Sequence, residues 1–183
     1  MDLFSANQLM WAAFIIGNSA PLLFIILHRT QKISRELFNL YFLGVLVGLS
    51  WEIPFALAGK SFHLILIDWP VDLHLARNIT YSFIDGLIFI FGILLAQTFL
   101  KNKDFLYKFN STALLIMIIW GSFSEFLVDL NGNGKLWLFI ENWYNPVFIT
   151  INGNGLTIIP QLNWFVAPIV YYFIILKCQS KLR

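Results

Sequence analysis

Five apolar runs divide the chain, at about 8–27, 37–58, 79–100, 110–130 and 156–176, with polar and charged residues returning between them. A helix needs roughly 20 apolar residues to cross ~30 Å of hydrocarbon, and each run is long enough. The pattern predicts an all-α integral membrane protein, a bundle of five transmembrane helices forming one domain over 1–183. Two connections break the alternation. Residues 62–69 (FHLILIDW) and 136–151 (LWLFIENWYNPVFITI) are apolar yet too short or too interrupted to cross. Each has a Trp near a charge, which suits a helix or hairpin lying at the membrane interface. Asn-Gly pairs at 131–134 and 152–155 favour tight turns and bracket the second of these segments.

Composition strengthens this reading. Hydrophobic residues make up 58% of the chain and charged residues 12%, about half of the usual ~25%. A water-soluble domain of this size could not bury so much apolar side chain. The excess is aromatic, with 19 Phe, 7 Trp and 6 Tyr. The formal charge of +2, without a basic stripe, does not suggest a nucleic-acid partner. A single cysteine, Cys178, forms no internal disulfide and no thiolate metal cage. The first run follows Asp2 and no basic segment, which reads as a retained span and not a cleaved signal.

The cations orient the bundle. Arg29, Lys32, Arg35, Lys101, Lys103, Lys108, Lys177, Lys181 and Arg183 fall on one side of a five-span layout, and only Lys60, Arg77 and Lys135 on the other. The positive-inside rule then places the N-terminus outside and the C-terminus in the cytoplasm, in a bacterial inner membrane or an endoplasmic reticulum.

Ionisable residues inside the runs carry the chemistry, because an acid in hydrocarbon is costly and normally faces a bundle interior or cavity. Glu52, Asp85 and Glu125 are the clear cases, with Asp129 nearer the outer end of the fourth run. Each of the three sits about five or six residues from the outer end of its helix, roughly 7–9 Å deep at ~1.5 Å per residue. Three acids from three helices at one level predict a shared pocket. Asn78, Tyr81 and Asp85 recur on one helical face, as do Gly121, Ser122, Glu125 and Asp129. Gly44, Gly48 and Glu52 share another, whose small residues let a neighbour approach closely. Gln161, Asn163 and Trp164 reach a similar depth on the fifth helix, and Arg77 stands just outside the third span.

Burial and crowding disfavour the charged form of a carboxyl group. A carboxylic acid kept neutral donates a proton and a neighbouring carboxylate accepts one, which suits general acid–base work on an apolar substrate. Trp51, Trp120, Trp164 and Tyr81 would offer ring faces to a carbocation. The simplest alternative role for the acids is to hydrogen-bond one another and hold the bundle together. Other motifs are thinner. Asp129-x-Asn131-x-Asn133-Gly134 matches half a calcium loop, but its closing Glu would be residue 140, which is Ile. His63 and His74 share the outer side with Asp68 and Asp72, and read as interfacial residues before a metal site. Asn78-Ile-Thr80 is a glycosylation sequon too close to the membrane to be used.

The Trp51-Glu52 pair in the second span resembles the Trp-Glu of the membrane-bound terpene cyclases of meroterpenoid pathways, where the Glu is taken as the acid that starts cyclisation. Trp164-x-x-x-Pro168, preceded by Gln161 and Asn163, is similar to the Asn-x-x-Trp-x-x-x-Pro of the emopamil-binding and sterol isomerase group, which shares the EXPERA membrane fold. Tyr81 and Asp85 also have a counterpart there. The chain departs from both patterns: Gly48 stands where the isomerases have the His of His-x-x-x-Glu, and the fifth span carries Asn and Gln but no acid.

The resemblance implies a cofactor-independent enzyme that protonates an isoprenoid-type lipid at an alkene or epoxide and isomerises or cyclises it. Glu52 would be the proton donor, with Asp85 and Glu125 tuning it or taking the proton back. The substrate would be held by Trp51, Tyr81, Asn78, Trp120, Ser122, Asp129, Gln161, Asn163 and Trp164. The expected partners are a hydrophobic small molecule or lipid and the membrane lipids themselves. A different class fits the same residues: a binding protein for sterol-like or cationic amphiphilic lipids, with the acids as counter-ions. A proton-coupled carrier ranks behind both, since the inner halves of the spans show little polarity beyond Gln97.

Overall fold

The computed structural model describes residues 4–71, 73, 75–151 and 153–180; Asp72 and His74 of the interfacial reading lie outside them. The fold is mostly helical. Its long helices are α1 (Ala6–Arg29), α2 (Arg35–Ala58), α3 (Ala76–Leu100), α4 (Ser111–Gly132) and α5 (Ile158–Ser180). All five are long and apolar enough to cross a membrane, and each coincides with one apolar run to within about a turn. Their starts follow local chemistry. Ser5 opens α1 with a capping box in which its hydroxyl accepts from the Gln8 amide while the Gln8 side chain accepts from the Ser5 amide. Ser34 caps α2 through the Leu37 amide, and Asn110 caps α4 through the Ala113 amide. Gly59, at φ +59°, ends α2 in a conformation that a side chain would resist.

Helix α3 is the centre of the bundle, packing against α2, α1 and α4, while α5 closes on α4 and α2. The α2–α3 seam is antiparallel: Gly44 meets Gly86, Gly48 meets Asp85 and Glu52 meets Asn78. These glycines let the backbones approach so closely that a Cβ on Gly44 would stand 3.1 Å from the Gly86 Cα. Below the seam, rings fill the core. Phe89 stacks on Tyr171 at 4.4 Å and on Trp164 at 5.4 Å, and Trp51 meets Trp164 edge-on at 5.5 Å. Each buried phenol finds a backbone carbonyl on another element: Tyr171 donates to Leu40, Tyr172 to Phe105 and Tyr41 to Phe83. Away from the core the helices present Ile15, Leu23, Leu46, Phe91, Phe99, Ile119 and Phe173, all more than half exposed, so the outer surface of the bundle is apolar.

The two apolar connections form strands. β1 (His63–Ile65) follows α2, and β2 (Trp137–Phe139), β3 (Val147–Ile151) and β4 (Asn154–Thr157) follow α4. β3 and β4 make a hairpin, with Gly153 at φ +82° in its turn. β1 instead pairs antiparallel with β2, setting His63 opposite Phe139 and Ile65 opposite Trp137. Residues 136–151 therefore form short strands and no further spanning helix. Trp143, at 91% exposure, with Tyr144, Phe148 and Ile149, leaves an apolar fringe on this end of the molecule.

Candidate active site

One cavity of about 440 Å³ lies where the β1–β2 pair meets the helix ends, within the range of ~300–1,000 Å³ typical of small-molecule sites. Glu52 from α2, Asp85 from α3 and Glu125 from α4 all line it. Glu52 is held by Asn78, whose side-chain amide donates to Glu52 Oε2 at 2.7 Å and to the Glu52 carbonyl at 3.0 Å. Asp85 is 6% exposed, and its Oδ2 is buried without a hydrogen-bond partner among the described residues. That oxygen faces Gly48, where a Cβ would come within 2.5 Å of it. Glu125 lies within electrostatic reach of Asp129, Asp85 and Glu52.

Aromatic rings supply much of the remaining wall. Trp51 and Trp164 contribute from the core side, and Tyr81 meets Trp137 edge-on at 5.5 Å. Phe55 leans on Phe139, which in turn stacks on His63 at 4.6 Å. The cavity thus combines acids with ring faces able to stabilise a cation. Asn163 also lines it, with its Nδ2 buried and without a hydrogen-bond partner among the described residues.

Four expected contact residues therefore face the cavity directly: Trp51, Tyr81, Asn163 and Trp164. Three others stand behind it. Asn78 supports Glu52, and Gln161 donates to Asp129 Oδ2 at 3.0 Å while Trp137 donates to its Oδ1 at 3.4 Å. Those two bonds hold Asp129 in place, and α4 runs on through Gly132, so the first four positions of the half calcium loop are helix here. Trp120 and Ser122 do not line the cavity. The Trp120 indole donates to the Ile88 carbonyl at 2.8 Å and tightens the α3–α4 contact, and Ser122 lies one turn further from the strands than Glu125. Among the described residues no three His, Cys, Asp or Glu side chains are grouped so as to hold a metal ion.

The sequence reading left out His63, Phe55, Trp137 and Phe139 as wall residues. His63 is 8% exposed, lines the cavity, and has both ring nitrogens buried without partners among the described residues. Burial, and next the Arg77 charge, lower its pKa to about 3, so its imidazole is neutral at physiological pH. An unfolded chain takes up this proton near pH 6.5 and the folded one does not, so protonation favours unfolding. The contribution is complete above about pH 6.5 and declines by about 1.4 kcal/mol per unit as the pH falls toward 3. The detergent-solubilised protein is expected to melt progressively lower from pH 6.5 to 5. His63→Phe removes about 2 kcal/mol of that loss. Parallel pH dependence in the two proteins would show that His63 titrates normally.

In comparisons with known proteins, the chain matches no family model, no curated protein and no solved structure.

Proposed function

We propose that this chain is an integral membrane enzyme that protonates an isoprenoid-type lipid at an alkene or epoxide and lets it isomerise or cyclise. The observation that carries the reading is the set of three carboxyl groups, from three helices, in the wall of one ring-lined cavity. The apolar outer faces of five spanning-length helices support placement in a bilayer. The cation asymmetry supports an outside N-terminus and a cytoplasmic C-terminus. The strands and the acid level then lie near the outer leaflet, with Trp143 and Tyr144 at the interface.

The chemistry balances without an oxidant or reductant. Glu52 gives its proton to an alkene carbon, the π pair becomes the new C–H bond, and the adjacent carbon is left cationic. For an epoxide, the proton goes to the ring oxygen and a C–O bond opens to the cation. Trp51, Trp164 and Tyr81 shield that charge with their ring faces. A second double bond closes onto the cation in a cyclisation. Asp85 or Glu125, as carboxylate, then removes a proton from a neighbouring carbon, whose C–H pair becomes the product alkene. Asp85 or Glu125 then releases that proton to water and Glu52 takes a new one from water, which resets the site. The short patches that resemble those of membrane terpene cyclases and sterol isomerases support this scheme.

The test is a lipid comparison by mass spectrometry. Membranes bearing the protein are fed prenylated aromatics, their epoxides and unsaturated sterols. The proposal expects a product of unchanged mass and shifted retention. If none of these lipids changes but a sterol or an amphiphilic amine copurifies, the protein is a binder and the enzymatic reading is wrong.

A further inference from the structure

Asn78 is 1% exposed in the α2–α3 seam, with both ends of its amide engaged. A guanidinium only donates hydrogen bonds. Arg77 Nη2 stands 3.1 Å from Asn78 Oδ1, so the oxygen end of the amide must face Arg77. The nitrogen end is then turned to α2, where it donates to Glu52 Oε2 and to the Glu52 carbonyl. Flipping the amide would set N–H groups against a guanidinium and a carbonyl against two oxygens, at the cost of every bond it makes. Its orientation is fixed by chemistry as well as by space.

This fixed donor acts on the carboxyl group. A protonated carboxyl has one O–H and one carbonyl oxygen, and the carbonyl oxygen is the better acceptor of an amide hydrogen bond. With Asn78 donating to Oε2 at 2.7 Å, the favoured neutral form of Glu52 keeps Oε2 as carbonyl and places the proton on Oε1. Among the described residues Oε1 takes no hydrogen bond, and the Glu52 side chain lines the cavity. The opposite placement would turn the O–H toward an amide that offers it no acceptor.

We infer that Asn78, locked in orientation by Arg77, is a positioning residue that keeps the proton of Glu52 on Oε1, the oxygen available to a molecule in the cavity. This deepens the reading of Glu52 as proton donor and rests on it for its functional meaning. Asn78 need not touch the substrate. Its effect is to present one acid in one protonation geometry, so that proton transfer begins without prior rotation of the carboxyl group.

Infrared spectroscopy of the purified protein in bilayers, acidified to protonate its carboxyl groups, tests the placement without any substrate. The C=O stretch lost in Glu52→Gln identifies Glu52. It is expected at the low frequency of a carbonyl that accepts a hydrogen bond, and Asn78→Leu moves it to higher frequency. Arg77→Met, which leaves Asn78 in place but frees its amide to turn, broadens or splits the band and keeps the inference testable if Asn78→Leu fails to fold. A band unmoved by either variant overturns the inference. On a lipid that the wild type converts, Asn78→Leu lowers kcat by about tenfold or more with little change in KM, since a proton donor rather than a contact is disturbed. A loss confined to KM would make Asn78 a binding residue and also overturn it. If the band shifts as expected while no lipid is converted, the enzymatic reading fails and the proton placement stands.

Discussion

Glu52→Gln is expected to lower kcat by a factor on the order of 10²–10⁴, the usual contribution of a positioned general acid. The replacement keeps the shape of the side chain and an oxygen for Asn78 to donate to, so the α2–α3 seam remains intact. What it removes is the proton. Asp85→Asn and Glu125→Gln are expected to cost less, because either carboxylate can take the proton from the cation when the other is gone. The check is product formed per unit of folded protein in membranes carrying each variant. Full turnover by Glu52→Gln would remove Glu52 as the donor, and a larger loss in Glu125→Gln would transfer that role to α4.

The second large effect is on stability. A Cβ on Gly86 would stand 2.8 Å from both Tyr41 Cε2 and Val45 Cγ2, two buried side chains of the facing helix. Gly86→Leu must therefore push α2 and α3 apart, at or above the upper end of the ~1–3 kcal/mol typical of overpacking. Thermal unfolding in detergent should show it as a clear fall in midpoint. Leu46→Ala, on the facing helix α2 but 64% exposed, should leave the midpoint almost unchanged. Gly48→Ala is a milder probe with a different target. Its methyl group would meet Asp85 itself, within 2.5 Å of Oδ2, so it disturbs the site more than the fold. Equal melting of Gly86→Leu and wild type would mean that the helices pack more loosely than the seam implies.

Much of this architecture is readable from the chain because its determinants are local. Run length sets the five helices, and a rise of ~1.5 Å per residue sets the depth of each acid. That is why Glu52, Asp85 and Glu125 could be grouped before any fold was known. Gly44 and Gly48, one turn apart, likewise marked the face on which another helix could lie close. What local reasoning could not supply was the strand pairing. His63 reaches the cavity because β1 pairs with β2, more than seventy residues along the chain, and nothing near residue 63 signals that partner. Trp120 misled in the other direction. Five residues before Glu125 it lies about 140° around the helix, which turns it toward the Ile88 carbonyl and away from the acids. Asn78 was legible as a polar residue on the acid face, but its role as a support for Glu52 depends on the neighbouring helix.

The most direct measurement is isotopic. Wild type and Glu52→Gln membranes, equilibrated in heavy water, are given the unsaturated sterols and prenylated aromatics, and the products are analysed by mass spectrometry. Proton donation to carbon predicts an isomer that gains one carbon-bound deuterium with the wild type, and no such product with Glu52→Gln. An isomer formed in heavy water without carbon-bound deuterium, or formed equally by the variant, would contradict the assignment of Glu52 as the acid that protonates the alkene.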